Sequence, residues 1–150
     1  MQQRGFTLIE LMLVIAVIVI LVTIIAGLMM NSRSRAQNAR LESDLKQLRV
    51  LGESYSNQSG SYVGWDDCVL HPDTAQCRTD DPGLAGSVQT LKNDIQVRQP
   101  DHNLSTGIGD TTFCMSLNLL NGNVACTDST GQFKTDLSSF QCSNGAPICP

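Results

Sequence analysis

The fold of this chain is decided by its N-terminal stretch, which reads RGFTLIE at residues 4–10 and LMLVIAVIVILVTIIAGLMM at residues 11–30. The second part is apolar except at Thr23 and Gly27. At about 1.5 Å per residue, a helix of this length crosses a hydrocarbon core of roughly 30 Å. Glu10 stands at the start of the run, where an unpaired charge costs at least ~2.5 kcal/mol. We therefore expect a membrane-spanning helix whose carboxylate needs a partner, and the nearby sequence offers none.

The segment GFTLIE at residues 5–10, with the apolar run behind it, resembles the processing site of bacterial type IV prepilins and of the pseudopilins of type II secretion. In that family a membrane peptidase cuts after the leader glycine and methylates the new N-terminal residue. The resemblance implies cleavage between Gly5 and Phe6 and N-methylation of Phe6. The family glutamate corresponds to Glu10. The alternative, a signal anchor, leaves this charge unexplained.

The resemblance also implies an assembly role for Phe6 and Glu10. When subunits stack, the Glu10 carboxylate of one chain would meet the Phe6 amine of its neighbour and relieve two costly charges together. Such pairing would set the axial step between subunits.

The chain length of 150 residues leaves room for one modest soluble domain after the helix. We divide the chain into a leader (1–5), a transmembrane and assembly half of the helix (6–30), an amphipathic half (31–56) and a globular domain (57–150). The formal net charge is −4. Because nucleic-acid phosphates require a basic footprint, we predict no direct nucleic-acid binding.

Six cysteines lie in the predicted globular domain: Cys68, Cys77, Cys114, Cys126, Cys142 and Cys149. An even set in a small domain predicts disulfides formed in an oxidising compartment. The arginines and lysines that follow the apolar run would place this domain in the cytoplasm by the positive-inside rule. The cysteines and the leader outweigh that count. We expect a single-pass inner-membrane precursor with its C-terminal domain outside the cytoplasm, and a cell-surface pilus after assembly.

Six cysteines allow fifteen connectivities, so the sequence does not define the pairing. We favour neighbour with neighbour, which pairs Cys68 with Cys77, Cys114 with Cys126, and Cys142 with Cys149.

The helix is expected to continue past the membrane, because Leu41, Leu45, Leu48 and Tyr55, helped by Leu51, share one face. The turn signal at residues 58–62 ends it.

The globular domain is expected to contain short elements joined by loops. Between the turn and the hairpin we expect an irregular segment at 64–82, a short helix at 87–97 with Val88, Leu91 and Ile95 inward, and a loop at 101–110. We then expect strands at 112–118 and 123–127 around the turn NGN at 121–123, a strand at 133–140 and a tail at 141–150. Cys114 and Cys126 are expected to face one another across the hairpin. The predicted fold is α+β, a long N-terminal helix on a small antiparallel sheet stapled by disulfides.

Metal sites receive little support. Cys68, His71 and Cys77 lack a fourth ligand and fit no structural-zinc spacing. The carboxylate pairs Asp66–Asp67 and Asp80–Asp81 offer calcium ligands but no EF-hand spacing, so solvated loop charges are the default interpretation.

The sequence gives equally little support for a catalytic site. The DSTG sequence at residues 128–131 is similar to an aspartic protease motif, but that chemistry needs two carboxylates at one site, and a turn is the better interpretation. We predict no enzyme activity, no catalytic residue, no metal and no cofactor.

The sequence therefore predicts a structural subunit of a type IV pilus, which by resemblance serves adhesion, twitching motility or DNA uptake. The implied partners are copies of the same chain, a prepilin peptidase, an inner-membrane assembly platform and, before assembly, the membrane. Two alternatives stay open: a pseudopilin of a type II secretion system, and a membrane-anchored binding module that acts alone.

Overall fold

The computed structural model of the chain describes residues 7–71, 77, 82–100, 103–144 and 147–150, without the side chains of residues 27–31 and 82. The chain divides into two units between residues 36 and 37. The elements in chain order are α1 (Leu8–Ser59), α2 (Trp65–Leu70), α3 (Pro82–Arg98), β1 (Ser105–Ile108), β2 (Phe113–Asn118), β3 (Val124–Asp128) and β4 (Phe133–Leu137). The predicted α+β fold is confirmed.

The second half of α1 carries the amphipathic stripe that its leucine spacing predicts. Leu41, Leu45 and Leu48 are fully buried, and Tyr55 is nearly so. The helix ends inside the predicted turn, where Gly60 takes a positive φ of 78° that favours glycine. The leucine stripe thus forms one wall of the core of residues 37–150.

The four strands form one antiparallel sheet in the order β1-β2-β3-β4. The β2–β3 hairpin is confirmed, but the expected cross-strand position of its two cysteines is wrong. Asn118 pairs with Val124, and this register places Cys114 opposite Asp128 and Cys126 opposite Ser116. The two cysteines therefore lie on one face of the sheet, displaced along the strands.

Both faces of the central strands are buried. Phe113, Met115 and Leu117 pack into the core that α1 lines. On the opposite face, Cys114 and Cys126 form a second small core with Cys142 and Cys149, against which Leu137 and Phe140 pack. The C-terminal tail therefore covers the face that an open antiparallel sheet would leave to water.

Two of the three expected disulfide pairings are wrong. Cys68 pairs with Cys77 as expected, but Cys114 pairs with Cys142 and Cys126 with Cys149. The Cα–Cα distances of the latter two are 5.8 and 5.9 Å, within the usual range. The physical reason is the shared outer face, since each hairpin cysteine points at the tail and not at the other.

Three local expectations also need correction. The segment after Gly64 is not irregular throughout, because α2 occupies Trp65–Leu70, and α3 begins before residue 87. The expected loop at 101–110 contains strand β1. Gly107 in this strand lets the tail approach, since a Cβ there would lie 2.5 Å from the Ser143 carbonyl oxygen.

A tryptic digest without reduction tests whether the hairpin cysteines are bonded to the tail cysteines or to each other. Between Arg98 and the end of the sequence, trypsin cuts at Lys134 alone, so residues 99–134 carry two cysteines and residues 135–150 carry the other two. We expect mass spectrometry to find these two peptides cross-linked to each other. Cleavage at Met115 should then leave residues 135–150 attached to both halves. Recovery of the two peptides as separate species would contradict the pairing.

Candidate assembly site

The first part of α1 is an apolar helix without cover from the described chain. In the described residues, Leu8–Ala26 is the one segment long and apolar enough to span a membrane, with a mean hydropathy of 3.2 and no part of it buried. Its large apolar side chains are between 49% and 78% exposed. A segment of this length and composition fits a membrane-anchored precursor.

Glu10 has a partner within its own helical turn, which corrects the expectation that the nearby chain offers none. The backbone N–H of Thr7 donates to Oε2 of Glu10 at 3.0 Å, and the Thr7 hydroxyl donates to the same oxygen at 2.8 Å. The Glu10 N–H donates to Oγ1 of Thr7 at 3.4 Å. This reciprocal pattern is a capping box. The spacing T-x-x-E at residues 7–10 was the signal for it in the sequence.

The capping box occupies only one of the two carboxylate oxygens. Both Thr7 donors reach Oε2, and no hydrogen bond from the part of the chain that the structure describes reaches Oε1. Since an ionised carboxylate can accept several hydrogen bonds, Oε1 can accept a further donor without displacing Thr7. Gly5 and Phe6, the expected cleavage pair, lie outside the described residues.

The globular unit has its own organising centre at Asp128, the last residue of β3. Its side chain is fully buried. Oδ1 accepts hydrogen bonds from the Thr130 N–H at 2.9 Å, the Thr130 hydroxyl at 2.7 Å and the Gln132 N–H at 3.1 Å. Oδ2 accepts from the Cys149 N–H at 2.9 Å. The turn interpretation of residues 128–131 is confirmed, and the same carboxylate holds the tail.

These contacts decide the protonation of Asp128. Burial acts to raise its pKa, but the hydrogen bonds from Thr130, Cys149 and Gln132 favour the ionised form and leave the pKa below its ordinary value. Asp128 is therefore an ionised carboxylate that binds the tail.

Two side-chain contacts, one hydrogen bond and one ion pair, attach helices within residues 37–150. The Arg49 Nε–H donates to the Asp128 carbonyl oxygen at 2.9 Å, which ties α1 to the end of β3. Arg98 on α3 pairs with Asp44 on α1 at 3.0 Å. Burial raises the pKa of Asp44, and Arg98 opposes that shift. Neither link had a sequence signal, because the partners are 79 and 54 residues apart.

The structure also bears on the weighed metal sites. Cys68 and Cys77 are bonded to each other, so a zinc site with His71 would lack its thiolates. Asp66 and Asp67 lie in the first turn of α2, and Asp80–Asp81 lie outside the described residues. Within the described ranges, no group of three or more His, Cys, Asp or Glu residues could hold a metal ion.

Residues 1–26 match the family model described as the prokaryotic N-terminal methylation motif, the leader signature of type IV prepilins and pseudopilins. This supports a protein of the type IV pilin or pseudopilin class, whose members are generally structural subunits that a prepilin peptidase processes and that polymerise. No curated protein and no solved structure shows significant similarity to the chain.

The Asp128 contacts predict a pH-dependent stability. Because the folded-state pKa is lowered, the contribution of Asp128 is present above the unfolded pKa of about 3.9 and is lost as pH falls through the folded-state value. At pH 7 we expect Asp128→Asn to lower the free energy of unfolding by about 1–3 kcal/mol. Chemical denaturation of the disulfide-intact chain from pH 7 to pH 3 measures it. The difference from the unsubstituted protein should shrink at the acidic end.

Asp136→Asn is the matched control, since Asp136 is an exposed carboxylate on β4. It should change the free energy of unfolding by less than about 0.5 kcal/mol. A loss for Asp128→Asn that is the same at every pH would contradict the ionised-carboxylate account.

Proposed function

We propose that the chain is a structural subunit of a type IV pilus, cut after Gly5, methylated at the amine of Phe6 and polymerised through α1. The observation that carries the proposal is the uncovered apolar helix Leu8–Ala26 with a carboxylate in its first turn. The methylation motif at its N-terminus supports the same conclusion.

The apolar surface needs a cover in each state of the protein. In the precursor the inner membrane supplies it, since lipid tails are as apolar as the side chains themselves. Outside the membrane, the equivalent surfaces of neighbouring copies can supply it. Head-to-tail contacts that do not close into a ring generate a helical filament. Polymerisation therefore removes from water the surface that makes a single copy insoluble.

The charge at Glu10 gives the filament a fixed register. Cleavage after Gly5 would create an ammonium group on Phe6, and the Oε1 atom of a neighbouring Glu10 has no donor from the described chain. Breaking an ion pair in an apolar surrounding costs about 3–5 kcal/mol, because a charge is left uncompensated. Subunits offset from the correct axial step would incur this cost.

The disulfide-bonded unit belongs outside the cytoplasm in this proposal. Three disulfides involve all six cysteines, and such bonds persist in oxidising compartments. The prepilin peptidase and an inner-membrane assembly platform are the proposed processing and assembly partners. The cysteine-rich globular unit favours a pilus over a type II secretion pseudopilus, whose major subunits generally rely on a calcium loop.

Electron microscopy of filaments sheared from the cell surface, with mass spectrometry of their N-termini, tests the proposal. We expect long filaments that contain this chain, beginning at an N-methylated Phe6. Filaments that form only when a secretion system is overproduced would indicate a pseudopilin. A processed chain that is never found in a filament would indicate the anchored module instead.

Substitution of Glu10 separates its charge from its capping role. Glutamine at this position still completes a capping box with Thr7 but carries no charge. We expect Glu10→Gln to be processed and to stay in the membrane, with the yield of sheared filaments reduced by more than about tenfold, as a lost buried ion pair predicts. Immunoblots of the sheared and membrane fractions measure this yield.

Glu42→Gln is the matched control, because it makes the same chemical change beyond the apolar segment. It should assemble normally. Normal filaments from Glu10→Gln, together with few filaments from Glu10→Ala, would assign Glu10 to helix capping and remove the charge-pairing step.

A further inference from the structure

A groove within residues 37–150 is not used by the proposed assembly through α1. Its volume is about 700 Å³, and it lies where the end of α3, the β2–β3 hairpin and the segment after β4 meet. Its polar and aromatic lining residues are Gln99, Asn118, Ser138, Ser139, Phe140 and Gln141. Amides, hydroxyls and one aromatic ring, together with the aliphatic side chains of Leu119 and Val124, thus surround a space large enough for a small organic ligand.

The uncharged character of the residues that line the groove limits which ligands can bind there. None of the described residues that line it is charged, although 16% of the chain is. An anion would therefore find no cation, and a metal ion would find no carboxylate. A wholly apolar ligand would remove the amides and hydroxyls from water without compensation. The lining favours a neutral ligand that is rich in hydroxyl groups.

The polar side chains are available for such a ligand. Within the described chain, the side chains of Asn118, Ser138, Ser139 and Gln141 make no hydrogen bond to another residue. Each amide offers both donors and an acceptor, so it can bind one hydroxyl as donor and an adjacent hydroxyl as acceptor. Vicinal hydroxyls at a fixed spacing are the recurring feature of sugars.

The wall that carries Phe140 is held in place before any ligand arrives. It follows the end of β4 at Leu137 and precedes Cys142, which is bonded to Cys114. The Cys142 N–H also donates to the Ser105 and Ser116 hydroxyls at 3.1 and 3.3 Å. Phe140 itself packs partly buried against the disulfide core. A wall fixed in this way loses little conformational entropy when a ligand binds.

We propose that this groove binds a neutral carbohydrate. The apolar C–H face of a sugar ring lies against Phe140, whose ring face carries partial negative charge, and the sugar hydroxyls bind Asn118 and Gln141. Because the groove belongs to the folded unit of a single chain, the inference does not depend on polymerisation. The two can therefore fail separately.

A glycan array tests the inference with the full-length chain in a zwitterionic detergent, which has no sugar headgroup to compete. We expect binding to neutral oligosaccharides. Calorimetric titration with the best neutral oligosaccharide should show that Asn118→Ala and Gln141→Ala each weaken binding about tenfold, the effect of a lost hydrogen-bonding partner. Phe140→Leu should weaken it similarly, because it retains apolar contact but removes the ring face.

Gln58→Ala is the matched control, since it truncates an exposed amide at the end of α1 outside the groove. It should leave the affinity unchanged, and disulfide mapping should show the same pairing in every variant. An array without neutral binders would overturn the proposal. So would binding confined to sialylated or sulfated glycans, or equal affinity in the three groove variants and the parent chain.

Discussion

The structure depends on one constraint, which is that a long apolar helix cannot remain uncovered in water. Fifteen large apolar side chains between Leu8 and Ile25 are about half exposed or more. Full burial of each stabilises by about 1.5–3 kcal/mol, so the group amounts to tens of kcal/mol. That exceeds the roughly 5–15 kcal/mol by which a whole domain is stable. Folding of the globular unit cannot compensate for such exposure, and only a membrane or other subunits can provide the cover.

The globular unit is limited by a different factor, because a small core stabilises a domain only marginally. Its sheet buries both faces, one under the leucine stripe of α1 and one under the C-terminal tail. Loops of 28 and 23 residues stabilise by about 3.5 kcal/mol each on the loop-closure model, whereas the short loops of neighbour pairing would give about 2.3–2.8. The gain of about 1 kcal/mol per bond matters less than position. Unlike neighbour pairing, the observed pairing holds the tail on the sheet, where Asp128 also binds it.

The parts of the fold that local patterns determine were predictable from the sequence. The leucine spacing from Leu41 to Leu48 defined the buried face of α1, and the turn at 121–123 defined the hairpin. Strand β1 and the two disulfides that join the hairpin to the tail were not predictable, because they depend on contacts between distant segments, whereas the short-range pair Cys68–Cys77 was expected. Cys114 lies closer in sequence to Cys126 than to Cys142, yet the side-chain direction set by the register decides its partner. The groove at Phe140 has the same origin, since three separate segments form it.

The capping box at Thr7 already orients the Glu10 carboxylate, so assembly has to supply only a cation for Oε1. Both donors of Thr7 lie after the Gly5–Phe6 bond, so cleavage would leave the contacts to Oε2 of Glu10 intact. The carboxylate would then have the same position in the precursor and in the mature chain, and Oε1 would accept the new ammonium without prior rearrangement. A group that is already oriented loses little freedom when it forms an ion pair. In the proposed filament, cleavage therefore changes one thing at this site, the presence of a cation at Phe6, and that change makes the helix competent to assemble.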